Sequence, residues 1–353
     1  HWVGDVLAAG LKWRKNVGVN LAVMGATGLV GEVIRQVIID RRFPYSTIKF
    51  LASKRSAGKP LSFAGKTYTV EEATPDAFRG VDIVLSSTPA SVSREISPMA
   101  AKAGAVVVDN SSAWRMDPNT PLVVPEVNPH DIDKNQGIIA NPNCSTIQMV
   151  VVMKPLHDVA RIKRVIVSTY QASSGKGASG LTEFDRQIAA LGKGEPVPPV
   201  TAHKHQLAGN CLPDDWTLGE DGYTEEELKM MKETKKIMGD NSIEVSATCV
   251  RVPVRTGHSE SVNLQFERPL SADQAREILS KSPGVIVLDD AGKGNVPLAQ
   301  DCVGKDETFV GRIRVDRSAP NCLNLWVVAD NLRKGAATNA VQIAEVLAKK
   351  LGK

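Results

Sequence analysis

The sequence predicts an α/β fold in two parts, and three observations carry that prediction. From residue 19 to residue 111, short apolar runs alternate with helical stretches. A glycine-rich turn, GATGLVG at 25–31, joins the first run to the first helix. After about residue 160, strands with one polar face are mixed with charged helices. The first pattern is that of a parallel sheet with right-handed crossovers, the second that of a separate α+β unit.

Taken in order, VNLAVM (19–24) reads as a buried strand. The helix after the glycine turn has Val30, Val33, Ile34, Val37 and Ile38 at i, i+3, i+4, i+7, i+8 spacing, one apolar face. IKFLAS (48–53), VDIVLSS (81–87) and AVVVDNS (105–111) read as further strands, with a helix at 92–103. In the second part, 164–171, 243–254, 259–266 and 323–330 read as strands, and 185–192 and 225–238 as helices. The strands at 243–254 and 259–266 flank RTGH and read as a pair joined by a tight turn. The last segment, 335–352, places Ala340, Ile343, Ala344, Leu347 and Leu351 on one helical face. Residues 17–142 with 332–353 are expected to form one domain and 143–331 the other, with 1–16 as an extension of unknown role.

Composition narrows the function classes. Hydrophobic residues make up 42% and charged residues 23%, as in an ordinary globular protein. A net charge of +4 without a Lys/Arg block points to an anionic small molecule rather than nucleic acid. No apolar run approaches the roughly 20 residues of a membrane span. The five cysteines are scattered, with no CxxC, which argues against a disulfide framework or a zinc site and fits a reducing compartment. His203 and His205 form an HKH pair without further ligands, so no metal is expected.

Gly25, Gly28 and Gly31 give G-x-x-G-x-x-G, a looser spacing than the usual dinucleotide fingerprint. Its place after a strand and at a helix start gives it weight, because open N–H groups and the helix dipole favour a phosphate there. This identifies the first part as a Rossmann-type dinucleotide domain. The second strand ends in SKRS (53–56) without the acid that would hold a ribose 2′-hydroxyl. Ser53, Arg55 and Ser56 offer hydroxyls and positive charge for a 2′-phosphate, so NADP is expected over NAD.

NPNCST (141–146) places Cys144 just ahead of an apolar run that Ser145 or Thr146 can cap. A cysteine at a helix start has a thiolate favoured by the dipole; the plainer reading is a small buried side chain. A nucleophilic thiol needs a base, and His258, seven residues after Arg251, is the most suggestive histidine. The plainer reading of His258 is a hydrogen-bonded turn residue.

These stretches together resemble aspartate-β-semialdehyde dehydrogenase of bacteria and plants, from about residue 19 to 352. The resemblance is carried by GATGLVG, LASKRSAGK, SSAWRMD, PLVVPEVN, NPNCSTIQMV, VSTYQASSG, KETKKIM, RVPVRTGHSESV and DNLRKGAATNAVQIAE. It implies an α+β substrate and dimerisation domain like that of glyceraldehyde-3-phosphate dehydrogenase, and a homodimer or homotetramer. It also implies the NADPH-dependent conversion of L-aspartyl-β-phosphate to aspartate β-semialdehyde and phosphate, on the route to lysine through diaminopimelate and to threonine, methionine and isoleucine. Cys144 would form the thioacyl intermediate, Gln171 would orient it and His258 would be the acid/base. Arg251 would clamp the α-carboxylate, Arg115 and Lys236 the phosphate, Glu233 the ammonium, with Asn143 also at the substrate. Gly25, Thr27, Gly28, Leu29, Val30, Ser53, Arg55, Ser56, Ser174, Gly175 and Asn331 would line the cofactor. The compartment implied is the cytoplasm, or a plastid stroma in a plant-like source.

Two stretches depart from the family pattern. SSTPAS (86–91) stands where SAGGS is common, and SGKG (174–177) where SGAG is common, so that Lys176 adds charge near the site. Two alternatives stay open on the sequence: N-acetyl-γ-glutamyl-phosphate reductase, and a silent nucleotide-binding homologue.

Overall fold

The computed structural model describes residues 18–353; the extension at 1–16 lies outside the described residues. β1 (Val19–Met24) is almost wholly buried and runs into the glycine turn. α1 (Leu29–Asp40) covers it with Ile34, Val37 and Ile38. β2 (Tyr45–Ala52) then pairs parallel with β1, starting three residues earlier than the apolar run suggests.

A hairpin, β3 (Pro60–Phe63) and β4 (Lys66–Thr69), was hidden in the sequence by its small size. Its turn puts Ala64 and Gly65 both at positive φ, the geometry that matches strand twist. Phe63 and Tyr68 seat it edge-on against Phe50, with ring centroids 5.2 and 5.1 Å away. β5 (Glu71–Glu72), β6 (Ile83–Ser86), α2 (Ala90–Lys102), β7 (Val106–Asp109) and β8 (Ile138–Ala140) complete the first layer. Its strand order is β5-β2-β1-β6-β7-β8, and every pairing is parallel. Strand order reverses between β1 and β6, so a crevice opens beyond their carboxyl ends, where such sheets bind ligands.

The second layer begins with α3 (Cys144–Ala160) and β9 (Ile162–Gln171), followed by α4 (Gly177–Lys193) and α5 (Glu225–Met238). β10 (Glu244–Arg251), β11 (His258–Phe266), α6 (Ala272–Ser280), β12 (Val285–Val287), α7 (Ala299–Cys302), β13 (Thr308–Val315) and β14 (Cys322–Ala329) follow. Strand order here is β10-β9-β11-β14-β13-β12. The expected pairing of β10 with β11 is therefore wrong: β9 lies between them, parallel to β10 and antiparallel to β11. The reason is positional. Gln171 ends β9 opposite Arg251, which ends β10, while His258 opens the antiparallel β11. β14 ends beside it, with Ala329 paired to His258. Four chemically important segments thus meet at one end of one sheet.

The inward face of this sheet packs on α3, α5 and α6 through Val165, Val167, Val262, Leu264 and Phe266. The other face leaves Ile166 and Tyr170 exposed. After β14, a π-helical turn (Arg333–Ala337) leads into α8 (Thr338–Lys350). α8 returns to the first layer, where Ala340, Val341, Ile343, Ala344 and Leu347 share a core with Leu21, Val23 and Ile83. No helix among the described residues is long and apolar enough to cross a membrane.

Candidate active site

A cavity of about 600 Å³ opens where the crevice of the first sheet meets the convergent end of the second. Cys144, Gln171, Arg251, Arg115, Asn143, Val30, Ser174, Gly175 and Asn331 all line it. Cys144 is the first residue of α3, and the cap is Asn143, not Ser145 or Thr146 as the sequence suggests. The Asn143 side chain accepts from the N–H groups of Ser145 and Thr146 at 3.0 and 3.2 Å. Gly335 closes against Cys144: a Cβ there would lie 2.8 Å from the Cys144 Cβ. Only glycine allows that approach.

The thiol is not activated by its helix start alone. Burial, then the nearby Glu226 carboxylate, push it up to about 12, against the pull of Arg115 and Arg251. Cys144 is thus a thiol in the free protein at neutral pH. Replacing Glu226 by glutamine removes a negative charge beside the sulfur, which lowers the thiol pKa. Iodoacetamide alkylation of Cys144 at pH 8, followed by peptide mass, should therefore be several-fold faster in E226Q; an unchanged rate would contradict the coupling.

His258 is fully buried and does not itself line the cavity; it lies behind Gly175, which does. Its Nδ1 accepts the N–H of Ala172 at 3.0 Å, which places the proton of the neutral ring on Nε2. Nε2 makes no hydrogen bond, and Gly175 lies over it, where an added Cβ would come within 3.3 Å. Burial, and then the Arg251 charge, hold the imidazole well below its ordinary range.

Arg251 is fixed on three sides. Nε donates to Asp215 at 3.0 Å, Nη1 donates to the Ala172 carbonyl at 2.9 Å, and the guanidinium stacks 4.5 Å from the Trp216 ring. Asp215 also bonds His203 at 3.0 Å and Lys176 at 3.2 Å. Burial alone would raise the Asp215 carboxyl, but His203 and Arg251, with the Lys176 charge, hold it well below the usual carboxylate range. Lys176, the departure from the family pattern, therefore directs its charge at Asp215. His203 bonds Ser173 through its other nitrogen at 3.1 Å. Ser173, His203 and Asp215 have the connectivity of a nucleophilic triad, but Ser173 is buried away from the cavity, so the set anchors Arg251.

Arg115 is held by the carbonyls of Asn141 and Asn110, both at 2.9 Å, and by Glu233 at 3.2 Å. Two expected cavity residues lie behind it instead. Glu233 is buried, with one oxygen on Arg115 and the other accepting the Asn143 N–H at 2.7 Å. Lys236 donates to the carbonyls of Arg115, Asp117 and Thr120 at 2.7–2.8 Å. Neither lines the cavity; both brace the Arg115 segment. Three acids do line it, Asp215, Glu225 and Glu226, and Glu226 accepts from Asn143 at 2.8 Å and Gln171 at 3.2 Å. Sequence reasoning missed Glu226 because it sits in an acidic first helical turn, EEE at 225–227, where dipole and capping explain every carboxylate. It likewise missed Lys204 and Lys229, which add positive charge to the cavity wall.

The glycine turn has the geometry of a phosphate cradle. A Cβ on Gly25 (φ 75) would lie 2.3 Å from the Ser87 carbonyl, and one on Gly31 would lie 2.2 Å from the Gly25 carbonyl. The SSTPAS loop thus abuts the turn directly, with Pro89 at the start of α2. Gly28 precedes α1 without a capping side chain, so the first N–H groups of α1 stay open to an anion. Thr27 and Gly28 are exposed, as are Ser53 and Arg55 beyond β2, with Ser56 half-buried. Asn331 is locked to Ser174 at 3.0 Å and to the Gly257 N–H at 2.9 Å. Leu29 lines a neighbouring cavity of about 720 Å³. These residues fit a dinucleotide laid along the crevice toward Cys144.

Two family models match the chain: a semialdehyde dehydrogenase NAD binding domain over residues 20–135, and a semialdehyde dehydrogenase dimerisation domain over 153–334. Aspartate-semialdehyde dehydrogenase of Aquifex aeolicus is 54% identical over 336 residues, 94% of this chain and 99% of that one. The enzyme of Bacillus subtilis is 49% identical over 339 residues, 94% of this chain and 98% of that one. Among solved structures, aspartate semialdehyde dehydrogenase II from Vibrio cholerae complexed with ASA has a TM-score of 0.91 at 46% identity, covering 94% of this chain and 98% of that one. The Candida albicans enzyme with NADP has a TM-score of 0.75 at 28% identity, covering 95% and 99%. On these matches, and with the sheet pair and cavity described, this chain belongs to the aspartate-semialdehyde dehydrogenase family.

Proposed function

We propose that the protein reduces L-aspartyl-β-phosphate to L-aspartate β-semialdehyde with NADPH, through a thioester on Cys144, on the route to lysine, threonine, methionine and isoleucine. The observation that carries this reading is the convergence of Cys144, Gln171, Arg251 and His258 at one sheet end, beside the dinucleotide crevice. Arg251, preset by Asp215 and Trp216, takes the substrate α-carboxylate with its remaining nitrogen. The ammonium faces the acidic wall, in which Glu225 and Glu226 line the cavity and Glu233 lies behind it. Arg115, with Lys229 nearby, receives the phosphate.

Cys144 sulfur attacks the acyl carbon, the carbon–oxygen bond to phosphate breaks, and phosphate leaves with the electron pair and takes up the thiol proton, stabilised by the surrounding cations. Bound NADPH supplies the hydride that reduces the thioester. Gln171 and the Nε2–H of His258 donate to the oxygen on which negative charge develops. Collapse of that adduct releases the aldehyde and the Cys144 thiolate, which takes a proton from solvent to restore the resting thiol. As the acid/base, His258 gains a proton only by giving up the Ala172 bond at Nδ1, which makes protonated His258 a short-lived state.

A 2′-phosphate on the cofactor is read by Arg55 with Ser53 and Ser56. The steady-state assay with aspartate semialdehyde and phosphate should give a kcat/KM for NADP above that for NAD by roughly 10- to 100-fold, the equivalent of one or two charge-assisted bonds. R55A should erase most of the difference by raising KM for NADP alone. Equal use of NAD by the wild type would overturn the cofactor assignment. A homodimer, or a tetramer built from it, would bury the open face of the second sheet around Ile166, Tyr170 and Trp326. The chemistry and reduced thiols suit the cytoplasm.

A further inference from the structure

One buried acid takes no part in this scheme. Glu260 lies on β11 two residues from His258, on the same inward face. It is wholly buried, and neither oxygen makes a hydrogen bond. Its surroundings supply no positive charge. Across the ladders it faces Thr169 of β9 and Val327 of β14, and along its own strand His258 and Val262. Cys249 of β10 lies beyond Thr169, with the carboxylates of Glu226 and Glu227 from α5 near it. The polar neighbour from α3 is Gln148, itself fully buried.

The Gln148 amide is half used. Its Nε2 donates to the backbone carbonyl of His258 at 3.3 Å, and its Oε1 is buried without a partner. Both oxygens of Glu260 and Oε1 of Gln148 are therefore buried without a hydrogen bond, and the Gln148 amide is the polar group of α3 beside the carboxyl. One proton resolves this. On Glu260 it donates to Gln148 Oε1, and the amide keeps its NH₂ toward His258. An ionised Glu260 would instead draw the NH₂ to itself and turn Oε1 toward the His258 carbonyl, oxygen against oxygen.

We propose that Glu260 is a neutral carboxylic acid in the resting protein and, through Gln148, a positioning residue for His258. The amide holds the backbone at the root of the imidazole while the Ala172 N–H holds its ring. Burial, opposed only by Gln148, keeps the acid protonated well above the ordinary glutamate range. At high enough pH the proton is lost, the amide turns, and the hold on His258 goes with it.

The inference rests on the proposed role of His258, so its test has a part that needs no turnover. Infrared difference spectra between wild type and E260Q at pH 7 should show a protonated-carboxyl band in the wild type that shifts on deuteration. A carboxylate band in its place would overturn the proposal, whatever the enzyme does. In the steady state, E260Q should keep kcat and KM within about twofold at pH 7, since its amide can donate to Gln148 as the acid does, and should extend activity further into alkali. Q148L should lower kcat about tenfold with little change in KM, the rate equivalent of one lost hydrogen bond. Wild-type kcat in Q148L, or an E260Q alkaline limb identical to wild type, would remove the positioning role. If C144A proved active while the protonated band persisted, the nucleophile would be misassigned and the state of Glu260 would stand.

Discussion

Alanine in place of Cys144 should abolish phosphate-dependent oxidation of aspartate semialdehyde, with kcat/KM reduced by at least about 10⁴-fold. NADPH binding, followed by fluorescence, should be unchanged, because no glycine-turn or Asn331 contact involves the sulfur. The size of the loss follows from the proposed chemistry, in which the sulfur forms the thioester that accepts hydride. Folding is expected to survive, because Asn143 rather than Cys144 caps α3. Residual activity within tenfold of wild type would overturn the assignment of the nucleophile.

The second large effect belongs to Arg251. R251L should raise KM for aspartate semialdehyde by roughly 10²-fold or more, the value of a buried charge-assisted carboxylate contact. It should also lower stability by about 3–5 kcal/mol, because Asp215 would stay buried with a main partner removed. Lys176 and His203 still reach Asp215 and limit the damage. The pH dependence has a defined sign. Asp215 is held below its unfolded value, so its contribution is present above the ordinary carboxylate range and fades as pH falls through the depressed value. Urea unfolding of the variant at pH 7 and in acid separates the two. The gap to wild type should narrow in acid; a constant gap would show that Asp215 does not carry the loss.

Sequence reading picked out residues that the structure brings together but not their supports, and the reason is physical. Cys144, Gln171, Arg251, His258 and the glycine turn lie at element ends, where caps, glycines and short spacings leave marks in the sequence. Of the six strands of the first sheet, β1, β2, β6 and β7 were legible as apolar runs, while the two-residue β5 and three-residue β8 were too short to leave one. Register was not legible. Nothing in RVPVRTGH indicates that β9 separates β10 from β11, since strand order depends on partners about 80 residues away. Glu233 and Lys236 matched a motif, yet their placement behind Arg115 depends on the loops at 110–120, which no periodicity marks. Asp215 and His203 sit in a poorly patterned stretch and acquire meaning only when Arg251 is brought to them.

The return of α8 to the first layer has a bearing on synthesis. On the ribosome, residues 19–140 emerge early with most of their strands but without Ala340, Ile343, Ala344 and Leu347, which complete the same core. The nascent first sheet must wait, with part of an apolar face uncovered, while the whole second layer is made. The helix that finally covers it follows directly on Asn331, Leu332 and Gly335 of the cavity wall. Closing the core and finishing the cavity are thus one late event, so an incomplete chain emerges without either.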